Sequence, residues 1–415
     1  LWRSKMRIGL FTDTYCPQIN GVATSVNMLK KGLEKKGNIV YLVTVNPDKY
    51  EYSIEENGKV LRLPGVPVKI YDYKLASVYP LKAINIIKKW KLDVIHSHTE
   101  FGVGTFARII ATQFGIPLVH TYHTMYEDYV HYITHGYFNW SSKKIVEYLT
   151  LFYCDKTNTE LIVPTVKACN LFKEKYHVDR DVYVIPTGID TDRFNRENNK
   201  KFNKKSAREN LNLKMDDFVI LTVGRIAQEK NITFIIDNMK KIVKKCSKAK
   251  LLIVGDGPDF DKCKKLISKY KIDNNVIMTG KVPYDKIVDY YLLADIFVTA
   301  STTETQGLTV IEAMAASLPV VCINDESFLN VVIDDINGKI FSASSEYIKD
   351  VCMIYNDRKL LERLSRQAKV STEMYSIKYF ASKVEDVYRI AIKNYHRNLI
   401  PIFDKIKSMF GGRNK

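Results

Sequence analysis

Residues 296–323 read IFVTASTTETQGLTVIEAMAASLPVVCI. Ile296–Thr299 and Val320–Ile323 are short apolar runs of the length that buried strands take. Between them a polar loop reaches Gly307, and a helix-like stretch begins directly after it. Strand, loop, helix and strand in this order form a βαβ unit, whose two strands must run parallel in one sheet.

The same grammar extends in both directions. Upstream in the same half lie Val219–Val223, Leu251–Val254 and Val276–Thr279. The first half repeats it with Ile8–Thr12, Ile39–Val45, Val94–His96, Leu118–Tyr122, Leu161–Val163 and Tyr183–Ile185. Near-continuous apolar strands separated by helical patterns are the mark of parallel sheets covered on both faces. The expected fold is therefore α/β, with two doubly wound Rossmann-like domains facing across a cleft. The expected boundaries are 6–190 for the first domain and 218–378 for the second. Residues 191–217, rich in Asn, Lys and Glu, are expected to be an exposed linker. Residues 379–415 are expected to form C-terminal helices that pack back on the first domain, with a basic amphipathic tail. Leu1–Lys5 are set aside as an extension ahead of the first strand.

A chain of 415 residues has room for two such domains. Its 46% hydrophobic and 26% charged residues exclude a wholly disordered or collagen-like chain. Seven scattered cysteines include no Cys-x-x-Cys pair, which argues against a zinc knuckle or disulfide framework and fits a reducing cytosol. No apolar run reaches the ~18–20 residues of a spanning helix. The formal net charge of +17 calls for a polyanionic partner, either nucleic acid, an anionic membrane or phosphorylated substrates. No nucleic-acid-binding motif occurs, so that class is set aside.

Ligands of open parallel sheets bind beyond the carboxyl ends of the strands, so the chemistry is sought there. The first strand leads into Asn20-Gly21 and then a helix, where a glycine lets backbone N–H groups approach a phosphate. A plain turn glycine is the equal alternative. The absence of Gly-x-Gly-x-x-Gly argues against a nicotinamide or flavin cofactor. His123 follows Leu118–Tyr122 and is placed to hydrogen-bond a substrate hydroxyl. His96, His98 and His120 are nearby, but no third metal ligand is evident, so no metal site is assigned. His120 suits a core position best. After Val219–Val223 come Arg225 and Lys230, a fork and a point charge suited to a diphosphate. Turns follow at Gly255-Asp256-Gly257-Pro258 and at Gly280-Lys281-Val282. In the opening stretch, Glu304 and Glu312 flank a helix N-terminus that offers unpaired N–H groups. Glu312 stands in an apolar run, where a carboxylate is costly unless it has a partner. Two Asp-x-Asp strings, 190–192 and 259–261, follow no strand and read as chance.

With these residues in view, the chain resembles the retaining GT-B nucleotide-sugar glycosyltransferases of family four. Glu304…Glu312 matches the family's paired glutamates, and Gly224-Arg225…Lys230 matches its phosphate clamp. The N-terminal Phe11-Thr12-Asp13-Thr14-Tyr15, His98-Thr99-Glu100-Phe101 and His120-Thr121-Tyr122-His123-Thr124-Met125-Tyr126-Glu127-Asp128-Tyr129 are similar to the bacterial 1,2-diacylglycerol 3-glucosyltransferases. The resemblance implies UDP-glucose as donor, diacylglycerol as acceptor, retention of anomeric configuration and no metal requirement. It implies backbone contact of Gly21 with donor phosphate and contact of His123 with the transferred sugar. Arg225 and Lys230 would hold the diphosphate, and Glu304 the sugar hydroxyls. The backbone of Gln306, Gly307, Leu308 and Thr309 would cradle sugar and phosphate, Glu312 would bind the ribose and Val282 would lie by the base, with Gly280 also among the donor-binding residues. Three positions depart from the family pattern: Asn20 and Ser317, where glycines are common, and Ile323–Phe328, where a glycine-rich segment is common. A different acceptor or hexose, an epimerase and a non-catalytic subunit remain as alternatives.

Two segments suit an anionic headgroup layer. Lys82, Lys88, Lys89 and Lys91 share a stretch with Leu81, Ile84 and Ile87. Phe403, Lys405 and Lys407 lie in the C-terminal tail. Solvated charged faces are the competing reading of each. The expected location is the inner face of the cell membrane, bound peripherally.

Overall fold

The structure is a computed structural model. It describes residues 5–18, 20–47, 50–67, 74–76, 80–100, 102–123, 150–151, 154, 158–302, 304 and 306–410, with backbone alone at 67, 74–76 and 396–410. The chain divides into two compact units, Leu1–Gly188 with Ile377–Lys415, and Ile189–Ser376.

The first unit carries β1 (Arg7–Phe11), β2 (Ile39–Val45), β3 (Ser53–Glu55), β4 (Val60–Leu63), β5 (Gly65–Pro67), β6 (Lys74–Ala76), β7 (Val94–Ser97), β8 (Leu118–Thr121), β9 (Glu160–Val163) and β10 (Val182–Val184). Its main sheet has the order β10-β9-β8-β7-β1-β2-β4-β3 and is parallel except at the edge strand β3. β5 and β6 form a separate antiparallel ribbon. The described helices before Gly188 include α1 (Gly21–Lys35), α2 (Leu81–Trp90), α3 (Gly102–Phe114) and α4 (Val166–Asn170). Along β1, Ile8 and Leu10 join one apolar cluster and Phe11 joins another, so the two sheet faces bury alternate residues.

The second unit holds β11 (Phe218–Val223), β12 (Ala249–Val254), β13 (Val276–Met278), β14 (Ile296–Thr299), β15 (Val320–Ile323) and β16 (Gly338–Phe341). The order is β13-β12-β11-β14-β15-β16, parallel throughout. Its helices are α5 (Thr191–Phe194), α6 (Lys204–Glu209), α7 (Ile232–Lys245), α8 (Phe260–Tyr270), α9 (Ile287–Leu293), α10 (Leu308–Ala315), α11 (Ser344–Asn356) and α12 (Arg358–Val370). Val219 and Leu221 of β11 face one core and Phe218 and Ile220 the other.

The last helix, α13 (Ile377–Phe410), returns to the first unit. Phe380, Ala381, Val384, Val387, Tyr388 and Ala391 enter the cluster formed by β1 and α1. One continuous helix thus stands where several were expected.

The expected linker is not a linker. Residues 189–217 belong to the second unit, with Phe194 and Leu213 buried in its core. The cause is a pair of arginines that satisfy loop carbonyls. Arg208, 1% exposed, donates to the Leu293, Met215 and Asp217 carbonyls and to Asp295. Arg196 donates to Ala316 and Ala294. Among the described residues no helix is long and apolar enough to cross a membrane.

Candidate active site

Both sheets have a switch point, where successive strands leave a central strand in opposite directions. In the second unit it lies between β11 and β14, in the first between β1 and β7. Side chains on the loops leaving these strands gather where such sheets bind ligands.

In the second unit, Lys230 from the loop after β11 donates to Glu304 Oε1 from the loop after β14, so an ion pair spans the switch point. Ser327 Oγ donates to the Glu304 carbonyl, and Ser301 Oγ to the Glu229 carbonyl at 3.3 Å. The second bond ties the loops after β11 and β14 together, and the first anchors the Glu304 loop to the loop after β15. Arg225 is exposed on the same loop as Lys230. The loops after β12 and β13 meet as well, with the Gly255 N–H donating to the Gly280 carbonyl at 3.1 Å. Gly255 has φ +143, and a Cβ there would lie 1.8 Å from the Gly224 carbonyl oxygen. Only glycine allows this approach. Val282 and Leu308 pack against the core beneath α10.

Gly307 caps α10 in the left-handed region at φ +68, and an added Cβ would stand 2.7 Å from the Phe328 ring. The residue thereby turns the chain sharply into α10, whose first N–H groups have no partner within the helix itself. Gln306 is buried and Thr309 half-buried beside it. One turn further, Glu312 is buried at 6% exposure. Its Oε2 accepts a 2.7 Å bond from the Tyr291 hydroxyl. Burial lifts its pKa to about 7, against the lowering effects of Tyr291 and Arg193. The carboxylate that looked costly in the sequence is thus held partly protonated near neutral pH. Arg193 stacks over the Tyr284 ring at 4.3 Å nearby.

In the first unit, the Asp13 carboxylate Oδ1 accepts from the Val103 N–H at 2.8 Å, and the Thr99 hydroxyl accepts from the Asp13 N–H. These bonds bridge β1 and β7 across the switch point. Asp13 Oδ2 is buried with no partner among the described residues, and burial raises the Asp13 pKa to about 6. Gly21 is the first residue of α1 rather than a residue ahead of it, and the space beside its Cα is open. Asn20 is the cap: its side-chain oxygen accepts from the Ala23 N–H at 2.9 Å. An asparagine where the family commonly has glycine is thereby given a local task.

His123 lies two residues beyond β8. Its Nε2 is 3.0 Å from His98 Nδ1, and the His98 ring lies 4.0 Å from that of His96. Burial first, then neighbouring histidines, pull His96 and His98 well below the ordinary histidine range. Burial brings His123 down to about 4, so it is neutral at physiological pH. His120 is a core residue, with Nε2 3.2 Å from Glu100 and Nδ1 3.3 Å from Ser97 Oγ. The sequence offered no third ligand beside these histidines, but the fold brings one set together. Potential ligand atoms of Glu100, His120 and Cys154 lie within 4.8 Å of one another, all buried. Arg108 donates to Ser97 Oγ beside that set and already disfavours added positive charge on His120. Asp13, Glu100 and Cys154 were given no role from sequence. Only the Asp-Thr and His-Thr-Glu words at strand ends pointed toward the first two.

Of the residues expected to meet a membrane, Lys82, Lys88, Lys89 and Lys91 are exposed along and just after α2. Ile84 and Ile87 are not available to a membrane, because both are buried in the core with Trp90. Only Leu81 adds an exposed apolar side chain, at 69%. The side chains of Phe403, Lys405 and Lys407 lie outside the described residues.

Comparison with known proteins decides the family. A model described as "Glycosyltransferase Family 4" matches residues 19–193, and one described as "Glycosyl transferases group 1" matches 203–371. The alpha-monoglucosyldiacylglycerol synthase of Acholeplasma laidlawii is 34% identical over 399 residues, covering 95% of this chain and 99% of that protein. The chain belongs to the family-four glycosyltransferases. The alpha-monoglucosyldiacylglycerol synthase of Streptococcus pneumoniae is 36% identical over 95% of this chain and 88% of its own length. HepE of Anabaena, solved in complex with UDP, superposes with a TM-score of 0.71 at 15% identity over 92% of this chain and 99% of its own. Sucrose-phosphate synthase from Thermosynechococcus elongatus gives 0.70 at 18% identity, over 92% and 98%. These likenesses establish this glycosyltransferase as a member of the GT-B fold class.

Proposed function

We propose that this glycosyltransferase moves a glucosyl residue from UDP-glucose to 1,2-diacylglycerol with retention, making monoglucosyldiacylglycerol at the cytoplasmic membrane face. The observation that carries the reading is the Lys230–Glu304 pair at the switch point, in a chain similar over nearly its whole length to two monoglucosyldiacylglycerol synthases.

Breaking the bond to the anomeric carbon leaves positive charge on the sugar and negative charge on the diphosphate. Arg225, Lys230 and the open N–H groups of α10 oppose the second, which is where preorganised charge does most. Lys230 is paired with the Glu304 carboxylate. An arriving diphosphate draws Lys230 to itself and leaves the Glu304 carboxylate to accept from sugar hydroxyls. Donor binding and sugar recognition are thereby coupled through one exchanged partner. Glu312, beside Tyr291, holds the ribose hydroxyls. His123, neutral, serves as a hydrogen-bond donor to the sugar rather than as an acid. The acceptor hydroxyl attacks on the face from which UDP departs, and its proton goes to the leaving phosphate. This scheme uses no metal.

The exposed lysines of α2 bring the first unit to an anionic surface by charge, without insertion of Ile84 and Ile87. The deciding experiment incubates the purified protein with labelled UDP-glucose and anionic vesicles containing diacylglycerol. Formation of a single alkali-labile glucolipid with α configuration is expected. Absence of glycolipid with every common UDP-hexose would overturn the proposal.

A further inference from the structure

Four histidines converge at the ends of β7 and β8, and the reading above uses only one of them. His96 is held at both nitrogens, by Tyr388 Oη and Thr121 Oγ1, each at 2.7 Å. Its ring packs against that of His98. His98 is 2% exposed, and its Nδ1 faces His123 Nε2 at 3.0 Å. The rings of His98 and His123 are inclined by only 27°. The remaining nitrogen of His98, Nε2, is buried and has no partner among the described residues. Among the described residues His123 Nδ1 has no partner either.

A neutral imidazole carries one N–H and one lone pair. Two assignments therefore make the His98–His123 hydrogen bond. If His123 Nε2 donates, the N–H of His98 must sit on its Nε2, a buried donor with nothing to accept it. If His98 Nδ1 donates, the buried Nε2 is a bare lone pair. Orphaned donors in protein interiors are rarer than under-satisfied acceptors, and the second assignment avoids one. It also fixes His123. With Nε2 accepting, its only proton is on Nδ1. The low affinity of both buried rings for a second proton keeps them neutral and the assignment unambiguous.

We infer that His98 is a positioning residue that locks His123 in the Nδ1–H tautomer, so that the donor presented to the substrate is Nδ1. His98 does not touch the reacting atoms; it acts through its neighbour, as a partner on one ring nitrogen decides the role of the other. The catalytic half of this inference rests on His123 facing the transferred sugar. The tautomer half does not.

The test labels the full chain with [15N]histidine and reads each ring by long-range proton–nitrogen correlation at pH 7.5 without substrate. The expected result is a protonated Nδ1 and a bare Nε2 at His123. In His98→Leu the ring is expected to populate both tautomers. An Nε2–H tautomer in the parent, or an unchanged spectrum in His98→Leu, would overturn the inference. Steady-state kinetics supply the second readout. His98→Leu should lower kcat about fivefold to tenfold, the size of one hydrogen bond, with donor KM altered less than about twofold. His98→Asn, whose amide N–H stands near the place of Nδ1, should recover kcat to within about twofold. Equal kcat in the parent and His98→Leu would remove the positioning role. Because the spectra need no donor or lipid, failure here is separable from failure of the proposed reaction, which the vesicle assay reports.

Discussion

Replacing Glu312 by Gln should make the protein more stable and a worse enzyme, and the first effect should depend on pH. The Glu312 carboxyl is buried beside Tyr291, with a pKa of about 7 against an ordinary 4.5. The sign follows from which state ionises first. Below pH 4.5 the carboxyl is protonated folded and unfolded, and burial costs no ionisation. Between 4.5 and about 7 the unfolded chain ionises while the folded one stays protonated, so stability is lost as pH rises. Above about 7 the loss is complete, at about 3 kcal/mol. Gln has no such loss, and its amide oxygen still accepts from the Tyr291 hydroxyl. The new amide N–H group lacks a described acceptor and offsets part of the gain, leaving about 1–2 kcal/mol at pH 8. For a unit of this size that raises Tm by about 2–6 °C at pH 8, whereas at pH 5, where only about 1 kcal/mol of the loss has set in, the offset cancels it and Tm is unchanged or slightly lower. Scanning calorimetry of both proteins at pH 5, 6, 7 and 8 measures the difference directly. Asp13 also titrates in this range, but it is common to both proteins and cancels. UDP binding by the variant should weaken at least about tenfold in isothermal titration. A Gln variant no more stable at pH 8, or equally stabilised at pH 5 and 8, would refute the burial argument.

Three further outcomes are expected. Lys230→Ala and Glu304→Ala should each reduce turnover below about 1% of the parent while Tm moves by no more than about 2 °C, because a partly exposed ion pair is worth at most about 1 kcal/mol. Near-normal rates would remove the charge-exchange scheme. Ser317→Gly should raise Tm by about 2–4 °C with unchanged kcat, since Ser317 holds a left-handed φ of +62 where a side chain costs about 1 kcal/mol. Reversing Lys82, Lys88 and Lys89 to Glu should cut co-sedimentation with anionic vesicles at least about tenfold at 0.1 M salt, and the parent's own binding should fall as salt rises. Transfer to detergent-dispersed diacylglycerol should persist in that variant.

Ser317 illustrates what local sequence can and cannot reveal. It follows α10 in a Schellman turn, with the Ser317 N–H bonded to the Met314 carbonyl and the Leu318 N–H to that of Ala313, both at 2.9 Å. The position where the family commonly has glycine was legible as a departure; the backbone angle that gives glycine its advantage was not. The short strands β3, β4, β5, β6 and β16 are not apparent in the sequence, because three or four residues carry too little pattern to stand out from a loop. The segment around Arg196 and Arg208 read as a linker because its composition is polar. Besides nearby carbonyls, the two side chains that anchor it find acceptors 85 to 120 residues away in sequence.

By itself the sequence determined the α/β class, the two successive sets of parallel strands and the loops on which Arg225, Lys230, Glu304 and His123 stand. Those features follow from periodicity and from turn chemistry, which act over a few residues. The tertiary structure decided which loops meet, and therefore the state of each group. Lys230 faces Glu304, Glu312 is shielded beside Tyr291 and keeps its proton to near neutrality, and His98 meets His123. Burial and hydrogen-bond partners set protonation, and both depend on residues brought together from distant parts of the chain.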